Sequence, residues 1–142
     1  MAASALVREQ IEGGEKLIRK LLERGSLRVD GALWGQREYD GRSYLYLVLP
    51  NLDRDGSFKS HEAIGEAQAE LENEGIHWME RIESLRLLPP TDSLARGLLE
   101  KYRNFPKLKP SLPRDQPIGS EFVENAFIYP PSLFLPVAIA TP

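Results

Sequence analysis

The chain has 142 residues, no cysteine, 42% hydrophobic and 27% charged residues, and a formal net charge of −3. This length suits one domain that can bury a core, and the composition is ordinary for a soluble globular protein. The lack of cysteine excludes disulfides, thiolate nucleophiles and cysteine-ligated zinc. The small charge gives no overall attraction to nucleic acid or anionic membranes. Because no stretch approaches the ~18 uninterrupted apolar residues of a membrane span, we expect an intracellular, cytoplasmic protein.

The first predicted element is a helix. Apolar residues recur at helical spacing from Val7 to Leu22, Ser4 is a suitable N-terminal cap, and Gly25 suits the C-terminal end. The pair Gly13-Gly14 lies inside this helix, where each glycine costs ~1 kcal/mol relative to alanine. Such glycines are favoured where a helix must lie close on a sheet, and the alternative is a helix that starts near the pair.

A β-hairpin is predicted next, from Val29 to Gln36 and from Ser43 to Leu49. The dipeptide Asp40-Gly41 favours a type I′ turn, which would place Trp34 opposite Leu47. Both faces of the second strand are apolar, and this pattern is typical of a strand inside a sheet.

The rest of the chain is predicted to alternate between helices and strands. After a polar turn at Asn51 to Gly56, Ser60 is expected to cap a second helix that runs to about Asn73 and stops at Gly75. A third strand is expected from Arg81 to Leu88. Thr91 or Asp92 should then cap a third helix.

The last predicted parts are a loop, a strand and a tail. Prolines recur through residues 105–117 and favour an extended loop over a helix or a paired strand. A final strand is expected from Phe122 to Tyr129. The predicted fold is thus one α+β domain over residues 1–129, with the order α-β-β-α-β-α-β, helices packed on a mostly antiparallel or mixed sheet, and an apolar tail over residues 130–142.

Several short motifs of the chain resemble a group of short bacterial α+β proteins of unknown function. The motifs are the glycine-containing helix at 13–25, Ala-Leu-Trp at 32–34, the strand ending in proline at 46–50, the Leu-Leu-Pro-Pro-Thr-Asp-Ser-Leu segment at 87–94 and Asn-Ala-Phe-Ile-Tyr at 125–129. They span most of residues 7–129, and the proline-rich segment and the tail depart from the pattern. The resemblance implies an α+β domain and implies no activity, cofactor or catalytic residue.

One segment resembles a calcium-binding loop in its spacing. Against the twelve-residue template, the candidate metal ligands are Asn51, Asp53, Asp55, Ser57 and Glu62. Lys59 stands where a ligand or its water belongs, and the preceding strand replaces the helix that an EF-hand requires. The main interpretation is therefore a turn without a cofactor. The alternative is a protein that binds calcium or another divalent metal, or a metal-dependent hydrolase in which His61 completes the site.

A basic segment with aromatic residues gives a second candidate site. Its members are Lys101, Arg103, Phe105, Lys107, Lys109 and Arg114. Basic side chains interleaved with aromatic ones are what single-stranded nucleic acid would use. That is the weaker alternative, and we expect this segment to offer a contact surface for a protein partner. A solvated loop with its aromatics tucked under the domain is the third interpretation. An acidic stretch at 59–83 either pairs with this basic segment or attracts a different partner.

The tail suggests self-association. Residues 133–139 are too apolar for a free terminus, so we expect them to cover the sheet edge of this chain or of a second copy in a homodimer. Nucleophilic triads and phosphate-binding glycine patterns have no support in the sequence. We therefore expect a small binding or regulatory protein that acts on a protein partner and is not an enzyme.

Overall fold

The structure, a computed structural model, describes residues 8–25, 27–37, 41–75 and 84–134. The side chains of Asp55 and Ser57 also lie outside the described part. The elements in chain order are α1 (Arg8–Arg24), β1 (Gly31–Gln36), β2 (Tyr44–Val48), α2 (Leu52–Asn73), β3 (Leu85–Leu88), α3 (Ser93–Asn104), β4 (Arg114–Ile118), β5 (Glu121–Ile128) and a 3₁₀ turn (Pro131–Leu133).

The five strands form one mixed sheet in the order β3-β2-β1-β5-β4. β1 pairs antiparallel with both β2 and β5, and β3 pairs parallel with β2. A parallel pair needs a long crossover, and α2 supplies it between β2 and β3. The α+β fold and the interior position of β2 are confirmed.

The register of the β1–β2 hairpin differs from the prediction by two residues. Trp34 lies opposite Leu45, and Leu47 faces Ala32. The strands end at Gln36 and resume at Tyr44, so the connection is longer than the two-residue turn that would have set the predicted register. Side chains alternate with a period of two along a strand, so the shift leaves every side chain on its predicted face.

Two helices cover one face of the sheet and one helix covers the other. α1 and α2 bury an apolar cluster against one face, and its members include Leu17, Ile18, Leu21, Ile64, Ala67, Leu71, Trp34, Leu45 and Leu47. α3 buries a second cluster on the opposite face, which includes Leu94, Leu98, Tyr102, Leu33, Tyr46, Val48 and Ile128. The predicted apolar stripe of α1 is therefore a core face, and α3 likewise turns its apolar residues to the sheet.

Gly14 lets α1 approach the sheet, as predicted. A Cβ atom at Gly14 would lie 2.9 Å from Nε1 of Trp34 and still closer to the hydroxyl of Tyr129. That hydroxyl accepts a hydrogen bond from Trp34 Nε1 at 3.0 Å and donates one to the Ile11 carbonyl at 2.5 Å. Since α1 is already helical at Arg8, the alternative start near Gly13-Gly14 is wrong. Ser4 and Val7 lie outside the described residues.

The prediction that Ser60 caps α2 is wrong. The helix starts at Leu52, directly after Asn51, and is interrupted at Gly56, where φ is 83° and ψ is 157°. Ser60 is buried inside the helix, and its hydroxyl donates to the Gly56 carbonyl at 3.0 Å. The predicted end of the helix is confirmed at Asn73, and Gly75 follows with a φ of 87°.

The predicted proline loop contains a paired strand. β4 pairs antiparallel with β5, and Pro117 lies opposite Phe122. β4 is the outermost strand of the sheet and has a neighbouring strand on one side only. A proline, which lacks an N–H group, is tolerated in such an edge strand. The additional strand therefore precedes the predicted last strand. The tail beyond Phe134, which is expected to cover a sheet edge, lies outside the described residues.

The cap of α3 is the predicted one. The Asp92 carboxylate accepts from the backbone N–H groups of Leu94 at 2.9 Å and Ala95 at 3.3 Å, and Asp92 is the N-terminal cap rather than Thr91. β3 starts at Leu85, directly after Ser84, and residues 81–83 of the predicted strand lie outside the described residues. Across the described ranges, no helix has the length and apolar character needed to cross a membrane.

Candidate interaction surface

The predicted basic residues lie along one continuous stretch that leaves α3 and enters β4. Lys101 and Arg103 occupy the last turn of α3, where cations interact favourably with the partial negative charge of the helix end. Lys107 and Lys109 follow in the extended segment, and Arg114 is the first residue of β4. We call this set, together with Phe105, the basic surface.

Phe105 is the C-terminal cap of α3. Its N–H bonds to the Lys101 carbonyl at 2.9 Å, and the N–H of Leu108 bonds to the Phe105 carbonyl at 3.0 Å. Pro106 lacks the N–H that a continuing helix would need. The Phe105 side chain is 57% exposed, and the Lys101 ammonium lies 5.8 Å from its ring centroid. The interpretation in which the aromatics tuck under the domain therefore holds for Tyr102, which is buried, and fails for Phe105.

Among the described residues, no carboxylate of the acidic helix α2 forms an ion pair with the basic surface. Its carboxylates instead pair with α1, where Lys20 lies 2.9 Å from Glu74 and 3.7 Å from Glu70. Arg24 pairs with Glu66 at 2.8 Å and also with Glu70. The hydrogen bond to Glu74 is the largest cause that raises the pKa of Lys20.

The cations of the basic surface have no such partners. Within residues 8–25, 27–37, 41–75 and 84–134, none of Lys101, Arg103, Lys107, Lys109 or Arg114 forms an ion pair. Arg103, Lys107, Lys109 and Arg114 are exposed. The tertiary structure thus pairs the carboxylates at the C-terminal end of α2 with α1 and leaves the cations of the basic surface without an ion pair among the described residues.

An apolar groove of about 810 Å³ adjoins the basic surface. Its apolar lining comes from the C-terminal part of α1, the segment before β1, α3 and the 3₁₀ turn. The residues are Leu22, Val29, Leu99, Tyr102, Pro131 and Phe134. Arg103 belongs to both the groove and the basic surface, and an ion pair between Arg28 and Asp30 at 3.1 Å lies at the rim. We call this the α1–α3 groove.

Tyr102 is a structural residue of the groove. Its hydroxyl donates to the Tyr129 carbonyl at 2.6 Å, and the ring of Phe134 stacks on it with centroids 6.0 Å apart. Burial raises the pKa of Tyr102 well above its ordinary value. The phenol is therefore neutral at physiological pH and is a poor candidate for proton transfer.

A second, polar cavity of about 510 Å³ shares Leu99 and Arg103 with the α1–α3 groove. Arg96, Glu100 and Arg103 line it from α3, and the β4–β5 turn lines it from Gly119. The close approach depends on Gly97, where a Cβ would lie 2.7 Å from the Ile118 carbonyl. Glu100 lies between the two arginines along the helix, so the cavity presents mixed charge and no clear preference for an anion.

A cluster that the sequence analysis missed ties three elements together. Arg37 lies 3.4 Å from Asp92 and 3.6 Å from Glu121, and the Ser93 hydroxyl donates to Glu121. These residues are distant in the chain, so no spacing pattern could have joined them. Each member has a partner inside the cluster, and the cluster therefore fixes the start of α3 against β5.

The predicted metal ligands lie in and next to α2. Asp53 is exposed before the Gly56 interruption, and Glu62 is exposed in the helix after it. Asn51 directly precedes the helix, while the side chains of Asp55 and Ser57 are not described. In the part of the chain that the structure describes, no three Asp, Glu or His side chains are grouped as a metal site requires.

Family models, curated proteins and solved structures gave no match to this chain. The resemblance to short bacterial proteins therefore stays an expectation that depends on the motifs alone.

Proposed function

We propose that this protein is a small, non-catalytic binding or regulatory protein that holds an acidic segment of a partner protein on the basic surface. The observation that carries the proposal is the charge distribution. Glu66 and Glu70 of α2 and the adjacent Glu74 are paired with α1, whereas the cations around Phe105 have no ion-pair partner among the described residues. Complementary charge provides specificity and faster association when a partner carries the opposite sign.

The shape of the segment supports a peptide-like partner. Pro106, Pro110 and Pro113 restrict the backbone between α3 and β4, so little conformational entropy is lost when a partner binds. Phe105 and Leu112, which is 85% exposed, provide apolar anchors between the cations. Interfaces commonly combine a few such anchors with a charged rim.

A protein partner fits these features better than single-stranded nucleic acid. Successive bases need several aromatic platforms, and Tyr102 of this segment is buried under Phe134. The net charge of −3 also opposes general binding to phosphates.

Selection from a displayed library of random 16-residue peptides tests the proposal. Peptides are selected on the wild-type protein and counter-selected on Lys107→Glu/Lys109→Glu. We expect the enriched peptides to be acidic with an apolar residue, and to bind this double variant at least tenfold more weakly by fluorescence anisotropy.

The matched control is Lys16→Glu, an exposed charge reversal on α1, which should keep the wild-type affinity. Both variants should melt like the wild type, because neither change removes an ion pair. Enrichment of peptides without net negative charge, or equal binding by the double variant, would contradict the proposal. Tight, steeply salt-dependent binding of an oligothymidylate in place of peptides would favour nucleic acid instead.

A further inference from the structure

The α1–α3 groove is an apolar concavity beside a polar surface. Its volume of about 810 Å³ falls in the range of roughly 300–1,000 Å³ that is usual for ligand pockets. Leu22, Leu99 and Phe134 remain half-buried in it, so each would lose more water-exposed apolar area if the groove were filled. Because apolar side chains gain free energy when they leave water, a stable occupant should be apolar.

The chain itself reaches this groove at the last described residue. Phe134 forms one wall and stacks on Tyr102 with an interplanar angle of 28°. The turn before it is held by hydrogen bonds from the N–H of Leu133 to the Pro130 carbonyl at 3.1 Å and from the N–H of Phe134 to the Pro131 carbonyl at 3.0 Å. The position from which residue 135 continues is therefore fixed at the groove.

The residues that follow have the pattern of a segment with one apolar face. Leu135, Val137 and Ile139 alternate with Pro136 and Ala138. In an extended backbone, alternate side chains point to the same side, so the three large aliphatic residues would share one face. Five extended residues span about 17 Å, and Pro136 disfavours a helix.

We infer that residues 135–139 of this chain dock in the α1–α3 groove in cis, with Leu135, Val137 and Ile139 on its apolar lining. Continuity with Phe134 gives these residues a high effective concentration at the groove, which favours them over the same segment of a second copy or a separate apolar ligand. In this arrangement the tail occupies the α1–α3 groove, whereas the sequence analysis expected it to cover a sheet edge. It also places the tail beside Arg103, so a partner on the basic surface would contact the docked segment.

Disulfide trapping tests this inference cleanly, because the chain has no cysteine. Val137→Cys is combined with Leu99→Cys in the groove and, in a control protein, with Phe58→Cys. Phe58 is 79% exposed on α2 and does not line the groove. Under mild oxidation at micromolar protein concentration, we expect the groove pair to form an intrachain disulfide at least fivefold faster than the control pair, as measured by peptide mass spectrometry.

Three results would overturn the inference. Equal rates for the two pairs would show that the tail does not prefer the groove, and absence of the groove disulfide would place it elsewhere. Predominantly interchain disulfides would assign the groove to the tail of a second copy and support the homodimer.

A second measurement avoids cysteine in the core. In the full chain, Leu135→Ser/Val137→Ser/Ile139→Ser should increase amide hydrogen exchange near Leu99 and Tyr102 several-fold, whereas Ala138→Ser, on the opposite face of the extended segment, should not. Unchanged exchange in the triple variant would contradict docking.

Discussion

Gly14 shows how one missing side chain determines a packing distance. Helix propensity alone favours alanine here by ~1 kcal/mol, yet the space for a Cβ is already occupied by Trp34 Nε1 and the Tyr129 hydroxyl. The close approach allows that hydroxyl to bond to the Ile11 carbonyl of α1 and to satisfy the Trp34 N–H group. Gly14 thus lowers the intrinsic stability of the helix but permits a hydrogen-bonded contact between helix and sheet.

Gly14→Ala should therefore destabilise the protein, whereas Gly65→Ala should stabilise it. Gly65 lies inside α2, and no atom of the described residues comes within 4 Å of a Cβ added there, so only the propensity gain of up to ~1 kcal/mol applies. At Gly14 the overpacking cost of about 1–3 kcal/mol should exceed that gain. Urea unfolding followed by tryptophan fluorescence measures both changes, and a stabilised Gly14→Ala protein would contradict the packing argument.

At the scale of elements, α2 includes residues 52–56, which the sequence predicted to be a polar turn before the helix. The first turn begins at Leu52, Gly56 interrupts the helix, and the buried Ser60 hydroxyl donates to the Gly56 carbonyl. Glycine suits position 56 because a φ of 83° with an extended ψ is almost inaccessible to other residues. The candidate metal ligands therefore belong to a helix with a break, whereas an EF-hand requires a continuous calcium loop.

From this geometry we expect no divalent metal site at residues 51–62. Millimolar calcium, magnesium or manganese should not change the melting temperature of the wild type or of Asp53→Ala. A site with a Kd of about 10 µM would add ~2.7 kcal/mol at 1 mM metal, which corresponds to a rise of roughly 5–10 °C. Such a rise in the wild type, lost in Asp53→Ala, would establish a metal site and revive the hydrolase hypothesis.

At the scale of the whole molecule, two tyrosines connect the three layers. Tyr102 of α3 donates to the backbone carbonyl of Tyr129 at 2.6 Å, and the side chain of Tyr129 reaches α1 on the opposite side of the sheet. Burial is the main cause that raises the pKa of both phenols. Both hydroxyls must remain protonated to donate these bonds.

The free energy of unfolding should consequently fall in alkaline solution. Both folded-state pKa values are raised, so the stability that they contribute is complete below the unfolded value of about 10 and is lost as the pH rises above it. Each tyrosine should contribute a slope of up to about 1.4 kcal/mol per pH unit. Tyr102→Phe should be less stable at pH 8 by about 1 kcal/mol, through loss of its hydrogen bond, and should show a shallower alkaline decline.

Urea unfolding from pH 8 to 11 measures this difference. Lysine deprotonation affects both proteins equally, so comparison of the two profiles isolates the tyrosine. Parallel profiles for wild type and Tyr102→Phe would contradict the assignment.

The sequence by itself determined the α+β class, most of the element order, the interior position of β2 and a cap of α3 at Thr91 or Asp92. These features depend on short-range causes, namely the hydrophobic period, capping chemistry and the conformational limits of glycine and proline. It also identified Gly13-Gly14 as a packing feature and the basic segment as a candidate site.

The tertiary structure alone decided the features that depend on distant residues. The β1–β2 register follows from a longer connection than the local turn signal indicated, and β4 forms in the proline segment because β5 offers a strand to pair with. The Arg37 cluster joins residues far apart in the chain. The fold also decided which charges are paired, because α2 lies against α1 and, among the described residues, the basic surface has no ion pair. Local patterns carry no information on which elements become neighbours.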